Sequence, residues 1–289
     1  MQNFCIITNR DKDTGLAVTG QVQKLLKAGG KGVVLAPEHI AENGCHYTSP
    51  QEIPADTDCV IVIGGDGTLL QAAHDVKDRE LPILGINMGT LGFLAETETA
   101  ELEQAVQRLL AGEFVIEEHK MLSAVVRSVD DNGVTVNEQL LPEALNDIVI
   151  NRSGFSRVIT LGVCINGEPV SEYRGDGVII ATPTGSTGYN LSAGGPILTP
   201  AADMAVITPV CPHSFGARSI VVSGQDVVSV CVRTSKKTQQ EEAIVTVDGL
   251  NAVNLKAQDC VEIRRAGCVT RLIRFRSGSF FQVLQKKFS

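Results

Sequence analysis

Residues 59–70 read CVIVIGGDGTLL, and the change of texture in the middle of this stretch decides the fold. Cys59 to Ile63 is a short, uninterrupted, β-branched apolar run, the pattern of a strand buried on both faces. It stops at Gly64-Gly65-Asp66-Gly67-Thr68, and Leu69 and Leu70 then open an apolar-periodic segment. The order is strand, glycine turn, helix. Glycines in such a turn permit positive φ and let a ligand approach the chain without meeting a Cβ. The first amides of the helix have no partner within it, which favours anionic oxygen there. Asp66 is the anomaly, because a carboxylate repels a bound phosphate unless a cation or a phosphate-accepting hydroxyl stands between them.

Upstream, Phe4 to Ile7 reads as a strand, Thr14 to Lys27 as a helix and Gly32 to Leu35 as a second strand; downstream, Pro82 to Ile86 reads as another strand and Ala100 to Leu110 as a helix closed by Gly112. Strands alternating with helices at this spacing predict a doubly wound parallel sheet. Ligands of such sheets sit at the carboxyl ends of the strands, where Gly64-Gly65-Asp66 and Asn87-Met88-Gly89 fall. After Glu113 short β-rich runs take over: Met121 to Val129, a turn at 130–133, Val134 to Val136, Ala144 to Ile150, Val158 to Ile165, an Asn166-Gly167 turn, Val178 to Ala181, Ile220 to Val222, Val227 to Val232 and Ile244 to Val247. Only Thr187 to Ala193 reads as a short helix there, and Ser235 to Glu242 as a surface hairpin loop. Phe280 to Phe288 has helical spacing. The expected fold class is α/β: an N-terminal doubly wound domain over 1–115 carrying GGDGT, an all-β domain over 116–265, and a C-terminal segment, 266–289, returning to the first domain.

With 289 residues and 43% hydrophobic content, the chain has enough apolar material for two ordinary cores. Its longest apolar runs fall far short of the roughly 20 residues of a membrane helix. Met1 is not followed by a basic start and a long apolar stretch, so the reading expects a cytoplasmic protein with no membrane partner. The eight cysteines are scattered without a C-x-x-C pair, which reads as buried thiols in a reducing compartment. A formal charge of -8 and 4% aromatic content speak against a nucleic-acid partner. An anionic small molecule must then be held locally, by helix ends, a few arginines and a metal ion.

The chemistry-bearing stretches each have a blander reading. Asp66 in GGDGT could merely cap its helix; the motif lacks the lysine of a P-loop and the spacing of a dinucleotide fingerprint. Tyr173 to Ile197, YRGDGVIIATPTGSTGYNLSAGGPI, brackets a strand with two turns dense in glycine and small polar residues. Arg174 and Asp176 read there as a charge pair and Tyr189 as an aromatic face, and the convergence of polar groups favours a binding surface. Ser186 does not match the G-x-S-x-G elbow of a nucleophile. Asn146-Asp147 interrupts an apolar strand and suits a base edge and ribose hydroxyls, although such pairs are more often turn or edge features. The five histidines lack metal-ligand spacing.

Taken together, the chain resembles the NAD kinase family, in its short bacterial form. Gly64 to Thr68, Asn146-Asp147, Thr182 to Tyr189 and Asp248-Gly249 occur in the family's order, with Leu91-Gly92-Phe93-Leu94, Tyr173 to Gly177 and Leu191 to Pro196 between them. The resemblance implies transfer of the terminal phosphoryl group of ATP, with Mg²⁺ or another divalent ion, to the adenosine ribose 2′-hydroxyl of NAD, making NADP; the sequence leaves open polyphosphate as an alternative donor to ATP. It implies Asp66 as general base, with Gly64, Gly65, Gly67 and Thr68 on the phosphate and metal side, and no protein ligand assigned to the metal. Asp66, Gly67, Phe93, Asn146, Asp147, Arg157, Arg174, Asp176, Thr187, Gly188, Tyr189 and Ser192 would bind NAD, and a homodimer or homotetramer is implied. Gly188 stands where the family has alanine, and Leu250 where a polar residue is common. The rivals are a lipid kinase sharing the GGDGT turn and a non-catalytic NAD-sensing module.

Overall fold

The strand read from Cys59 to Ile63 is buried at every position from Cys59 to Gly64, as expected of a strand covered on both faces. The computed structural model describes residues 1–40, 46–129, 135–154, 158–214, 216–233, 243–275 and 279–289. It divides into two units, Met1–His119 with Cys268–Ser289, and Lys120–Gly267.

In the first unit, β1 (Asn3–Thr8), β2 (Gly32–Leu35), β3 (Cys59–Gly64) and β4 (Ile83–Asn87) form a parallel sheet in the order β2-β1-β3-β4. Helices α1 (Ala17–Ala28), α2 (Asp66–Val76) and α3 (Leu102–Ala111) pack on it. Phe4, Ile6, Ile61, Ile63, Leu84 and Ile86 meet Val22 and Leu26 of α1 and Leu102, Val106 and Leu109 of α3 in one core. Each such buried side chain contributes about 1.5–3 kcal/mol. Leu69, Ala72, Ala73 and Val76 are the buried residues of α2, and at Gly85 a Cβ would come within 2.6 Å of Leu69. Residues 268–274 return to this sheet, Leu272 pairing in parallel with Ile83 and Ile273 entering the core. Helix α5 (Ser279–Phe288) follows, with Phe280 and Val283 buried.

The start of α1 differs from the expected helix at Thr14. Gly15 and Leu16 have φ of 70° and 57°, so a single 3₁₀ turn precedes Ala17. Asp13, 2% exposed, accepts hydrogen bonds from the amides of Val18 and Thr19, both at 2.9 Å, and from the Thr19 hydroxyl at 2.6 Å.

The second unit is built from antiparallel strands: β5 (Val115–Val129), which begins in the first unit, β6 (Thr135–Leu140), β7 (Asp147–Arg152), β8 (Ile159–Ile165), β9 (Glu168–Gly175), β10 (Gly177–Ala181), β11 (Met204–Val210), β12 (Ile220–Ser223), β13 (Val228–Arg233), β14 (Ala243–Val247), β15 (Leu250–Leu255) and β16 (Cys260–Arg274), which ends in the first. One sheet runs β12-β11-β10-β7-β14-β15; in another β9, β8, β13 and β16 are neighbours in that order. Inward residues of both, among them Ile148, Ile150, Leu161, Val178, Val230, Val245 and Ile263, share one core. On the outer face of the first sheet, Val149, Ile179 and Ala181 are covered by Ala193, which follows the one-turn helix α4 (Tyr189–Ser192). The expected Asn166-Gly167 hairpin turn forms with φ of 53° and 84°, the left-handed pair a tight hairpin needs.

The all-thiol expectation is corrected here: Cys231 and Cys260 are directly opposed across β13 and β16 and joined as a disulfide. Cys5 and Cys59 are buried thiols, and burial pushes Cys5 up to about 11. The turn at 130–133 and the loop at 235–242 lie outside the described residues.

Burial pushes the Asp13 carboxyl up, but its hydrogen bonds from Thr19 and Val18 outweigh this and hold it below the ordinary carboxylate value. Its stabilisation is then fully present above that ordinary value and is lost as the pH falls through the lowered one. Asp13→Ala should reduce stability at neutral pH by about 2 kcal/mol, in the range of helix-start contacts, with the two proteins converging in strong acid. Urea unfolding across a pH series measures both.

Candidate functional site

Helix α2 begins at Asp66 itself, with Gly65 in extended conformation before it and no side chain capping its first turn. The amides of that turn are therefore open, and their polarity favours an anion. The glycines of Gly64 to Gly67 do not act through positive φ, which none of them has. They act through space. A Cβ at Gly64 would stand 2.5 Å from the Thr68 hydroxyl, one at Gly65 2.8 Å from Lys12 Nζ, and Gly67 faces open space.

Asp66 is not a cap. Its carboxylate turns away from its own helix and accepts three backbone hydrogen bonds from the segment after β4: Phe93 N–H on Oδ2 at 2.9 Å, and Leu94 and Ala95 N–H on Oδ1, both at 3.1 Å. A carboxylate has about four lone-pair sites, so one remains on Oδ2. Gly92 makes the approach feasible, since a Cβ there would stand 1.9 Å from Asp66 Oδ1. The same segment is held from its other side by Arg274, only 4% exposed, which donates to the carbonyls of Leu94 at 2.8 Å and Phe93 at 3.3 Å. Glu96 and Glu117 lie 3.4 and 3.7 Å from that guanidinium. Phe93 packs its ring on Phe280, centroids 5.8 Å apart, with Lys287 Nζ 5.0 Å from its centroid. Gly92 and Arg274 are among the residues that sequence reasoning left without a role.

The second unit repeats the device. Asp248 and Gly249 form the β14–β15 turn with φ of 51° and 75°, and the Asp248 carboxylate accepts the amides of Leu145, Asn146 and Asp147 at 2.8, 2.8 and 2.9 Å. The segment after β10 locks onto the same place. Thr182 donates its hydroxyl to the Leu145 carbonyl at 2.6 Å, and at Gly185 a Cβ would stand 2.0 Å from the Asn146 carbonyl oxygen. A cavity of about 360 Å³ results, lined by Asn146, Asp147, Val149, Asn151, Tyr189, Thr246, Asp248 and Gly249. Asp147 is 6% exposed, and burial first, then the Asp248 charge, pushes its carboxyl up to about 7.

Of the residues singled out in the sequence, Asn146, Asp147, Tyr189, Asp248 and Gly249 thus meet around one cavity. Thr187, Gly188 and Ser192 lie on the neighbouring one-turn segments outside its lining; the Thr187 hydroxyl donates to the Thr184 carbonyl at 3.1 Å. An alanine Cβ at Gly188 would meet the Gly185 carbonyl at 3.3 Å, a tight contact. The expected pairing of Arg174 with Asp176 is corrected: Asp176 takes Arg152 Nε at 2.8 Å, while Arg174 is exposed on β9, because alternation turns its side chain outward. Ser186 is fully buried, donating to the Pro183 carbonyl at 2.6 Å and accepting the Leu198 amide at 2.9 Å, a structural role. Arg157 lies outside the described residues. Among the described residues, no group of three or more His, Cys, Asp or Glu side chains is placed to hold a metal ion, and no helix is long and apolar enough to cross a membrane.

Two predictions come from this geometry. Gly92→Ala should displace the Asp66 carboxylate and reduce turnover on the order of 10²-fold, the usual scale of a 1 Å misplacement, while circular dichroism stays unchanged. For Asp147, the folded protein holds a proton from the ordinary carboxylate range up to about pH 7 that the unfolded chain has released. Stability should therefore fall as the pH rises through that window, by at most about 1.4 kcal/mol per pH unit, and Asp147→Asn should flatten the slope. Urea unfolding at pH 5, 6, 7 and 8 reads it directly.

Comparison with known proteins bears on this arrangement. The family description "ATP-NAD kinase N-terminal domain" matches residues 4–114 and "ATP-NAD kinase C-terminal domain" residues 145–275. The NAD kinase of Lachnoclostridium phytofermentans is 52% identical over 288 residues, covering 100% of this chain and 99% of its own, and that of Agathobacter rectalis 38% identical over 290 residues, covering 99% and 98%. Among solved structures, the NAD kinase of Archaeoglobus fulgidus in complex with ATP superposes with a TM-score of 0.78 at 25% identity, covering 99% of this chain and 98% of its own. Yeast NADH kinase complexed with NADH shares the fold, with a TM-score of 0.86 at 21% identity over 100% of this chain and 87% of its own. Two domain matches that together span most of the sequence, and full-length identity of 52%, place this chain in the NAD kinase family.

Proposed function

We propose that this member of the NAD kinase family transfers the terminal phosphoryl group of ATP to the adenosine ribose 2′-hydroxyl of NAD, forming NADP and ADP. The observation that carries the mechanism is Asp66: a carboxylate at the first position of a helix, held by three amides and keeping one acceptor site on Oδ2. Such a group aligns the hydroxyl and takes its proton as the phosphorus–oxygen bond forms. A loose phosphoryl-transfer transition state needs alignment and charge neutralisation more than a strong base. The uncapped amides of α2 and the open space at Gly67 serve the donor phosphates, with Gly64, Gly65 and Thr68 shaping the turn.

The β-rich unit serves the dinucleotide. Asn146, Asp147 and Tyr189 line its cavity, Asn146 and Asp147 offering amide and carboxyl groups to adenosine and its hydroxyls. Asp147 donates a hydrogen bond when protonated and only accepts when ionised, so its elevated pKa lets it do either near neutrality. Thr187, Gly188 and Ser192 flank Tyr189, and Arg157, Arg174 and Asp176 serve the remaining half of the dinucleotide or a second subunit. The divalent cation, Mg²⁺ in this reading, belongs to the ATP substrate and is held by phosphate oxygens. A cytoplasmic homo-oligomer completes the proposal.

The test is direct. Purified protein incubated with NAD, ATP and Mg²⁺ should form NADP, read with an NADP-specific dehydrogenase; no NADP from folded protein overturns the reading. Asp66→Asn should lose a factor of roughly 10²–10⁴ in turnover, the scale of a general base, while equilibrium dialysis still detects bound NAD. Near-normal turnover would remove Asp66 from that role.

A further inference from the structure

The GGDGT turn contains no cation, and the protein as a whole is negative, with a formal charge of -8. A triphosphate brought to this turn adds charge beside the Asp66 carboxylate. A phosphoryl-transfer site needs a fixed positive group to offset that charge as the transition state forms. P-loop sites obtain it from a lysine within the motif; here the motif offers none.

The loop between β1 and α1 places one beside the turn. Asn9 donates its amide to the Ile63 carbonyl at 2.9 Å, tying the loop to the last residues of β3. The Asn9 carbonyl accepts the amides of Lys12 at 3.2 Å and Asp13 at 2.9 Å, and its side-chain oxygen accepts the Lys12 amide at 3.1 Å. Asp13 then anchors the following helix, so the backbone on both sides of Lys12 is fixed. Its ammonium lies against Gly65, where a Cβ would stand 2.8 Å from Nζ. Arg10, two residues earlier, is engaged by Glu38 at 3.6 Å. No acidic partner of Lys12 occurs among the described residues, and its side chain is exposed.

A second observation at these strand ends points to a ligand. Thr8, 5% exposed at the end of β1 and paired in register with Ile63, has a hydroxyl oxygen without a hydrogen-bond partner. Asn87, 4% exposed at the end of β4 and in register with Gly64, has a side-chain oxygen in the same condition. Buried polar atoms are seldom left unpaired without a reason. These two flank the strand that leads into the turn.

We infer that Lys12 is a catalytic residue of this kinase, binding the terminal phosphate oxygens of the nucleoside triphosphate and neutralising charge during transfer. The inference rests on the function proposed above. In the step, the bond from the γ-phosphorus to the β,γ-bridging oxygen breaks and one to the ribose 2′-oxygen forms. The bridging oxygen leaves with its electron pair on ADP, and the hydroxyl proton passes to Asp66. Lys12 stays protonated throughout and moves no proton. A lysine recruited from the β1–α1 loop thus does what a P-loop lysine does from within its motif.

The experiment compares wild type with Lys12→Gln and Lys12→Arg. Calorimetric titration with ATP, AMP and NAD gives affinities, and NADP formation gives kcat. Lys12→Gln should lower kcat on the order of 10²-fold, as loss of one transition-state donor does. It should weaken ATP at least tenfold while AMP and NAD affinities hold, and Lys12→Arg should recover most of both losses. Unchanged kcat and ATP affinity in Lys12→Gln, with wild type making NADP, would overturn the inference alone. Loss of ATP affinity in a system whose wild type forms no NADP would support the phosphate contact and overturn the kinase reading instead. An equal loss for AMP and ATP would also overturn it, since the contact would then lie on the nucleoside side.

Discussion

The Asp66 carboxylate sitting on the amides of Phe93, Leu94 and Ala95 is the interaction on which the first unit's site depends. Three partly buried amides are satisfied by a half-buried carboxylate, so each supplies the other's partner. Arg274 completes the arrangement from the carbonyl side of the same peptides. A turn held on its N–H groups by an anion and on its carbonyls by a cation has little freedom to move. The carboxylate at its centre is correspondingly fixed, which is what the role proposed for Asp66 requires.

Asp248 uses the same physics in the second unit. Its carboxylate gathers the amides of Leu145, Asn146 and Asp147, and the Asp-Gly hairpin turn that carries it needs left-handed backbone at both positions. The consequence differs because a second carboxyl stands nearby. Asp147 is buried beside the Asp248 charge and is pushed up to about 7. One aspartate organises the backbone while its neighbour is left poised near neutrality, two outcomes set by hydrogen-bond count and burial rather than by residue type.

Much of the fold was legible because hydrophobic periodicity is local. The Cys59–Gly64 strand, the helices around it and the turn to β-rich texture after Glu113 each announce themselves within a few residues, and the α/β then all-β order with a returning C-terminal segment is what the structure contains. Strands with weak local signal were missed. Glu168–Gly175 is mostly exposed and so lacks an apolar alternation, and Cys260–Arg274 is interrupted by Glu262, Arg264, Arg265 and Arg271. Cys231 and Cys260 could not be paired from spacing, since their meeting depends on the register of two strands 29 residues apart in sequence.

The sequence by itself determined which chemical groups the chain brings: a carboxylate in a glycine turn after a buried strand, an Asn-Asp pair beside a second apolar run, and enough family-like motifs to name the class of reaction. Only the tertiary structure decided what each group faces. Asp66 reads equally as cap or base in one dimension; in three, its oxygens turn to residues 27 to 29 positions away. Lys12 lies more than fifty positions from Gly65 and Arg274 some 180 from Leu94, and nothing local marks either. Composition and periodicity are properties of neighbours along the chain, whereas the field at a reacting atom is set by neighbours in space. That difference is why the opening stretch could reveal its fold at once but its partners only after the chain had closed around it.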